Sequence, residues 1–214
     1  MRKEILKDLY LHYRDKLSRC GRLYIALRLK MLPIDEYLKV LRPEAKILSL
    51  GCGLGLAEYY FAADSPLRRI LAIDNNAARI TIAQNSSRHL KNIEYQNRYA
   101  QDVARMGNEE WDVVLASDLF HHIDYGSQEK IVCQAGRILK KGGLFIVKDM
   151  NPTAGPRKLY NTLHDRLFNK TKKIYYIEIE CLKKLMSENS LRLNSLKYIN
   201  TLVFSHILLV AEKI

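Results

Sequence analysis

Apolar positions in the first 45 residues follow a helical rhythm. Leu6, Leu9, Tyr10 and Tyr13 recur on one helix face, Leu27, Leu29 and Leu32 follow more loosely, and Pro33 and Pro43 punctuate the stretch. From Lys46 onward the pattern changes to short apolar runs that alternate with helical periods. Strands are predicted at 46–50, 70–74, 92–97, 112–117 and 144–149, with helices from Gly55 to Ala63, from Asn76 to about residue 90, and from Gln128 to Leu139. The third helix is expected to stop at Lys140, Lys141 and the Gly142-Gly143 pair, through cations near its carbonyl end and a left-handed cap. Residues 155–190 read as an inserted helical pair, and 191–200 and 203–212 as strands of an antiparallel hairpin about Thr201-Leu202. Strands alternating with helices predict an α/β architecture. A chain of 214 residues falls within the size of one such domain, so 1–214 is read as a single unit without internal repeat or low-complexity tract.

The junction of the first strand and helix carries the strongest chemical signal. Lys46-Ile-Leu-Ser-Leu-Gly-Cys-Gly-Leu-Gly55 is a buried strand running into a glycine turn, and Ile70-Leu-Ala-Ile-Asp74 is a second strand ending in a carboxylate. Glycines at 51, 53 and 55 let the turn adopt positive φ and let a ligand approach the main chain. A carboxylate about 20 residues further on is placed to accept hydrogen bonds from ribose hydroxyls. The spacing is G-x-G-x-G, whereas dinucleotide folds use G-x-G-x-x-G to set a pyrophosphate on a helix N-terminus.

Leu50-Gly-Cys-Gly-Leu-Gly55 resembles the first motif of class I S-adenosylmethionine-dependent methyltransferases. Trp111-Asp-Val-Val-Leu-Ala-Ser-Asp-Leu-Phe-His-His-Ile123 is similar to that family's fourth strand and following loop, and Leu139-Lys-Lys-Gly-Gly-Leu-Phe-Ile-Val-Lys-Asp149 to its helix, turn and fifth strand. The resemblance covers residues 46–150 well and the flanks poorly. It implies a seven-stranded, mostly parallel, doubly wound sheet, with 1–45 as a helical extension, 46–150 as the cofactor-binding core, 151–190 as a helical lid and 191–214 as the edge hairpin. It also implies S-adenosyl-L-methionine as cofactor, held at Gly51, Cys52, Gly53, Gly55, Asp74 and Asn75, with Asp74 on the adenosine ribose.

Two positions depart from the family pattern. Relatives carry an acid two residues before the first glycine, where this chain has Ser49, so water or another carboxylate takes over that role or affinity falls. Relatives also place an acid near the adenine amine after the third strand. Here Asp102 is the nearest, a few residues late, and it suits either adenine contact or capping of a short helix.

Ligands of open parallel sheets bind beyond the carboxyl ends of the strands, which directs attention to the loop after the fourth strand. Asp118 is expected to contact the methionine half of the cofactor or to cap a turn. His121 and His122 are candidates for a general base that takes a hydroxyl proton as the oxygen attacks the methyl group, with packing as the alternative. No third ligand accompanies the pair, so no metal is expected there. Asp149 and Asn151 follow the fifth strand, where they suit either acceptor orientation or loop capping. Cys20, Cys52, Cys133 and Cys181 show neither C-x-x-C spacing nor grouping with histidines, as expected of reduced thiols in a cytoplasmic protein.

Charge bears on the partner. Lys and Arg number 35 against 23 Asp and Glu, a formal net charge of +12. Basic residues gather near the N-terminus and again at Arg157, Lys158, Arg166, Lys170, Lys172 and Lys173, where Leu159, Tyr160, Leu163, Leu167 and Phe168 recur at helical spacing. That amphipathic pattern suits peripheral contact with an anionic membrane, and equally a lid packed on the domain. No secretory signal or run long enough to span a bilayer is read. Three functions follow: methylation of a small-molecule or lipid-like acceptor at oxygen; methylation of RNA, for which the charge argues and Ser117-Asp-Leu-Phe120 argues against; and cofactor binding without catalysis. The sequence leaves the acceptor and the oligomeric state open.

Overall fold

Four of the five residues of the first strand, Ile47 to Leu50, are buried, as expected of a strand covered on both faces. The computed structural model describes residues 2–106, 111–155, 173–200 and 204–214. The chain divides into two compact units, Met1–Tyr99 and Ala100–Ile214. The strands form a seven-stranded sheet in the order β3-β2-β1-β4-β5-β7-β6, numbered along the chain.

The first unit opens with helices α1 (Arg2–Arg14), α2 (Arg19–Met31) and α3 (Ile34–Leu38), the predicted helical extension. Then come β1 (Lys46–Leu50), α4 (Leu56–Asp64), β2 (Arg69–Asp74), α5 (Ala77–Ser86) and β3 (Ile93–Asn97). β1 and β2 pair in parallel with Ile47 opposite Ile70, and β2 pairs with β3 in parallel with Asp74 opposite Asn97. Every residue of α4 from Leu56 to Ala62 is buried, as expected of a helix apolar almost all round; Glu58 is the polar exception. The guanidinium of Arg68 is buried yet satisfied, donating to the carbonyls of Arg42 and Phe61 and to Asp64. Asn76 caps α5 by accepting from Arg79 N, and the helix closes at Ser86, a few residues before the predicted end.

The second unit contains a 3-10 turn at Ala100–Met106, β4 (Trp111–Ser117), a second 3-10 turn at Phe120–His122, α6 (Tyr125–Ile138), β5 (Leu139–Met150), α7 (Ile179–Glu188), β6 (Leu191–Asn200) and β7 (Ser205–Lys213). β4 and β5 are parallel; β7 runs antiparallel to β5 and to β6, which makes the predicted hairpin. β7 is buried from Ser205 to Ala211, whereas β6, at the edge of the strand order, alternates and keeps Arg192 and Lys197 exposed.

One expected boundary is corrected. α6 ends at Ile138, and Leu139 is extended, buried and paired opposite Trp111, so the chain is already a strand at Lys140. The left-handed residue is Gly142, at φ 77°, lying inside β5, where the register with β4 shifts. Burial of Leu139 on Trp111 wins over the capping signal. The inserted pair is described only as α7, because residues 156–172, including the amphipathic run from Leu159 to Phe168, lie outside the described residues.

Candidate active site

The chain leaves β1 through Gly51, Gly53 and Gly55 at φ 68°, 58° and 69°. Each lies in the left-handed region that other L residues rarely adopt. Two of these glycines nevertheless serve different ends. A Cβ on Gly55 would sit 2.5 Å from the Tyr95 ring, so this glycine is a packing requirement, whereas a Cβ on Gly53 would meet nothing within 4 Å. The open side of the turn is therefore at Gly53, where a ligand can reach the main chain.

Asp74 closes β2 beneath that turn. Its Oδ2 accepts from Gly53 N and its Oδ1 from Asn76 N, both at 2.8 Å, so one carboxylate ties the glycine loop to the start of α5. Lone pairs remain on both oxygens for further donors. Asn75, beside it, is exposed. Cys52 packs against the Ala72, Ile80, Ala83 and Tyr95 cluster, and burial, with help from Glu58 and Asp74, pushes its thiol pKa well up. It is a neutral apolar filler rather than a nucleophile.

Three supports of the turn escaped the sequence reading. Tyr13 of α1 donates to the Leu54 carbonyl at 2.7 Å and Tyr95 of β3 to the Gly55 carbonyl at 3.3 Å. Burial raises both phenol pKa values, which keeps the hydroxyls protonated as donors. The third is Glu58, to which Ser49 Oγ donates a short hydrogen bond. A carboxylate thus lies beside the position where relatives carry an acid, reached from α4 instead of from β1. Burial raises its pKa to about 7, with Asp74 adding to the rise and the Ser49 hydrogen bond opposing it.

In the second unit the loop after β4 is built on charges. Asp118 has φ 56°, unusual for a residue with a Cβ, and its N–H donates to Lys148 O at 2.7 Å. Lys148 of β5, 0% exposed, places its ammonium 2.6 and 2.7 Å from the two carboxylate oxygens of Asp118. His206 Nε2 lies 3.8 Å from the same carboxylate. Asp118, expected as a cofactor contact or a turn cap, is one half of a buried ion pair.

Next along the loop, His121 is 2% exposed and its Nδ1 is 2.6 Å from Asp149 Oδ1. Asp149 also accepts from Phe120 N at 2.8 Å, His121 N at 3.4 Å and Met150 N at 2.7 Å. A carboxylate with this many donors stays an acceptor, so Nδ1 of His121 carries its proton and Nε2 is the basic nitrogen. His122 is half-buried, its ring centroid 4.0 Å from that of His121. Gln128 braces the loop by donating to the carbonyls of Phe120, Ile123 and Tyr175, and Tyr175 N donates to His121 O. Asn151 is engaged with Ser205 and Thr153, holding β5 to β7. Asp102 lies half-buried in the first turn of the 3-10 segment Ala100–Met106.

A family model described as a methyltransferase domain matches residues 10–196. The chain belongs to that family. Its fold is that of solved S-adenosylmethionine-dependent methyltransferases. A solved S-adenosylmethionine-dependent methyltransferase from Methanosarcina mazei superposes with a TM-score of 0.65 at 19% identity, covering 86% of this chain and 98% of its own. Geranyl diphosphate C-methyltransferase from Streptomyces coelicolor A3(2), solved with Mg2+, geranyl diphosphate and S-adenosyl-L-homocysteine, gives a TM-score of 0.67 at 14% identity over 87% of this chain and 80% of that one. Among curated proteins, the ribosomal RNA small subunit methyltransferase C of Buchnera aphidicola is 28% identical over 108 residues, 48% of this chain. The methyltransferase spans only 30% of that relative's length. No helix among the described residues is long and apolar enough to cross a membrane.

Proposed function

We propose that this methyltransferase moves a methyl group from S-adenosyl-L-methionine to a hydroxyl oxygen of a small-molecule or lipid-like acceptor. The observation that carries the oxygen assignment is the buried His121–Asp149 pair, because an imidazole with a fixed tautomer suits removal of a hydroxyl proton. The first unit fits the cofactor's nucleoside: the bare backbone at Gly53, with Gly51, Cys52 and Gly55 shaping the turn and Asp74 and Asn75 at the end of β2, supports contact with a ribose. Glu58 stands in for the acid that Ser49 replaces. We assign Asp118, committed to Lys148, to holding the loop, and Asp102 to the adenine side.

The cofactor supplies an electrophilic methyl group on a sulfonium. An acceptor hydroxyl that reaches His121 Nε2, itself a buried atom, would give up its proton there as the oxygen is methylated. His122 serves as the ring against which His121 packs. Positioning supplies much of the acceleration in such a displacement, so the rigidity of the loop counts as much as the base. A cytoplasmic setting suits the exposed free thiols of Cys20 and Cys181.

Calorimetry with S-adenosylmethionine and transfer of labelled methyl into lipid, metabolite and RNA fractions test the proposal. Saturable binding with label in an ether or ester of the lipid or metabolite fraction supports it. Label in RNA alone would favour the RNA reading, for which the rRNA-methylating relative and the net charge of +12 argue. Binding without transfer would leave a cofactor-binding protein.

A further inference from the structure

Asp8, His12, Tyr59 and His89 come together in the first unit, on the helices flanking the glycine turn. Asp8 and His12 are four residues apart on α1 and so share a face, Tyr59 projects from α4, and His89 lies in the turn after α5. Asp8 Oδ2 is 2.5 Å from the Tyr59 hydroxyl, which is 3.2 Å from His12 Nδ1 and 3.1 Å from His89 Nε2. His12 Nδ1 lies 3.4 Å from Asp8 Oδ1, and His89 Nε2 lies 3.9 Å from Asp8 Oδ2. One donor atom from each of Asp8, His12 and His89 falls within 4.8 Å of the others.

Three of these separations, from the Tyr59 hydroxyl to His12 Nδ1 and to His89 Nε2 and from His12 Nδ1 to Asp8 Oδ1, are close to the edges of a coordination tetrahedron. Ligand bonds of about 2.0–2.1 Å put neighbouring N and O donors of a four-coordinate zinc roughly 3.3 Å apart. The two imidazole rings stack with centroids 4.2 Å apart, and their Nδ1 and Nε2 atoms lie 3.2 and 3.1 Å from the Tyr59 hydroxyl. We propose that Asp8, His12 and His89, with the Tyr59 oxygen as fourth donor, form a site for a divalent transition-metal ion of the zinc type. On binding, the Nδ1 proton that otherwise points at the Asp8 carbonyl 3.0 Å away moves to Nε2, so that His12 ligates as a neutral imidazole, and the Tyr59 phenol proton, which the free site donates to Asp8, leaves to solvent as its oxygen takes up the metal. The ion would clip α1 to α4 and to the turn after α5. The next residue of α1, Tyr13, holds the Leu54 carbonyl, so the clip fastens the helix that braces the cofactor turn. The metal site stands apart from the methyl-transfer reading, because metal uptake is measured without cofactor or acceptor.

The test uses the full chain stripped with chelator and titrated with Co2+ as a spectroscopic probe, then with Zn2+ in competition. One equivalent of Co2+ with the intense visible absorption of four-coordinate cobalt, displaced by Zn2+, is expected. His89→Ala, at an exposed side chain, and Asp8→Asn should each weaken uptake by at least about 100-fold, at or beyond the upper range for outer-shell changes. Zn2+ should raise the thermal midpoint of the parent chain and leave that of His89→Ala unmoved. Absence of uptake overturns the site, as does uptake unchanged in His89→Ala or lost only when Cys20 and Cys181 are replaced by serine.

Discussion

The turn after β1 and the loop after β4 solve opposite problems by opposite means. The first is nearly free of side chains: three glycines at positive φ, two carbonyls held by tyrosine hydroxyls, and one carboxylate occupied by backbone N–H groups. The second also has a residue at positive φ, but it is Asp118, held by the buried ammonium of Lys148, and the next carboxylate in line, Asp149, fixes an imidazole. A surface that a ligand must approach closely is best left bare. A loop that must present one nitrogen in one orientation is best over-determined, and buried charges do that at the cost of desolvation. The two regions should therefore fail differently when altered.

The largest effect is expected at the imidazole. His121→Asn should lower the rate of methyl transfer on the order of 10²–10⁴-fold while leaving S-adenosylmethionine affinity in calorimetry near that of the parent. An unchanged rate would remove the base from the mechanism. Lys148→Met comes next: it leaves the Asp118 carboxylate buried and uncompensated, for a loss of about 3–5 kcal/mol in denaturant unfolding, much of which Asp118→Asn in the same chain should restore. If the single change costs no more than a surface substitution, the loop does not depend on its charges.

Glu58 provides a pH-dependent test of the turn. Its folded pKa of about 7 stands above the ordinary 4.5, so between those values the folded chain holds a proton that the unfolded chain has released. Stability from this group is thus present at low pH and lost as pH rises toward and through 7. Relative to Glu58→Gln, the parent should lose about 3 kcal/mol between pH 4 and pH 8; parallel stability curves would contradict the burial argument. The smallest effect is expected at Gly53→Ala, which meets no clash and costs only the backbone term of about 1–2 kcal/mol, while Gly55→Ala must also displace Tyr95. Thermal melts of the two variants should rank in that order.

What the sequence made legible follows from local chemistry. Strand runs, the glycine turn, the acid ending β2 and the helix start at Asn76 are all read within a window of a few residues, and the structure has them in the expected places. The partners were not legible. Nothing near Ser49 announces that its carboxylate comes from position 58, or near Asp118 that position 148 supplies an ammonium, since both pairings depend on which side of a strand or helix faces inward. Tyr13 was legible as an apolar helix position, but the destination of its hydroxyl, 41 residues away, was not. The end of α6 was misread because Leu139 belongs to a strand pairing with Trp111 that local capping rules do not see.

The bond from Tyr13 to Leu54 has a consequence for anyone reducing this protein to its recognisable nucleus. A chain trimmed to begin at Lys46 would retain every glycine of the motif yet lose the phenol that quenches the Leu54 carbonyl and the apolar ring that fills the space beneath it. Such a fragment would keep the signature and forfeit its shape, so the minimal catalytic unit reaches back into a helix that no motif marks.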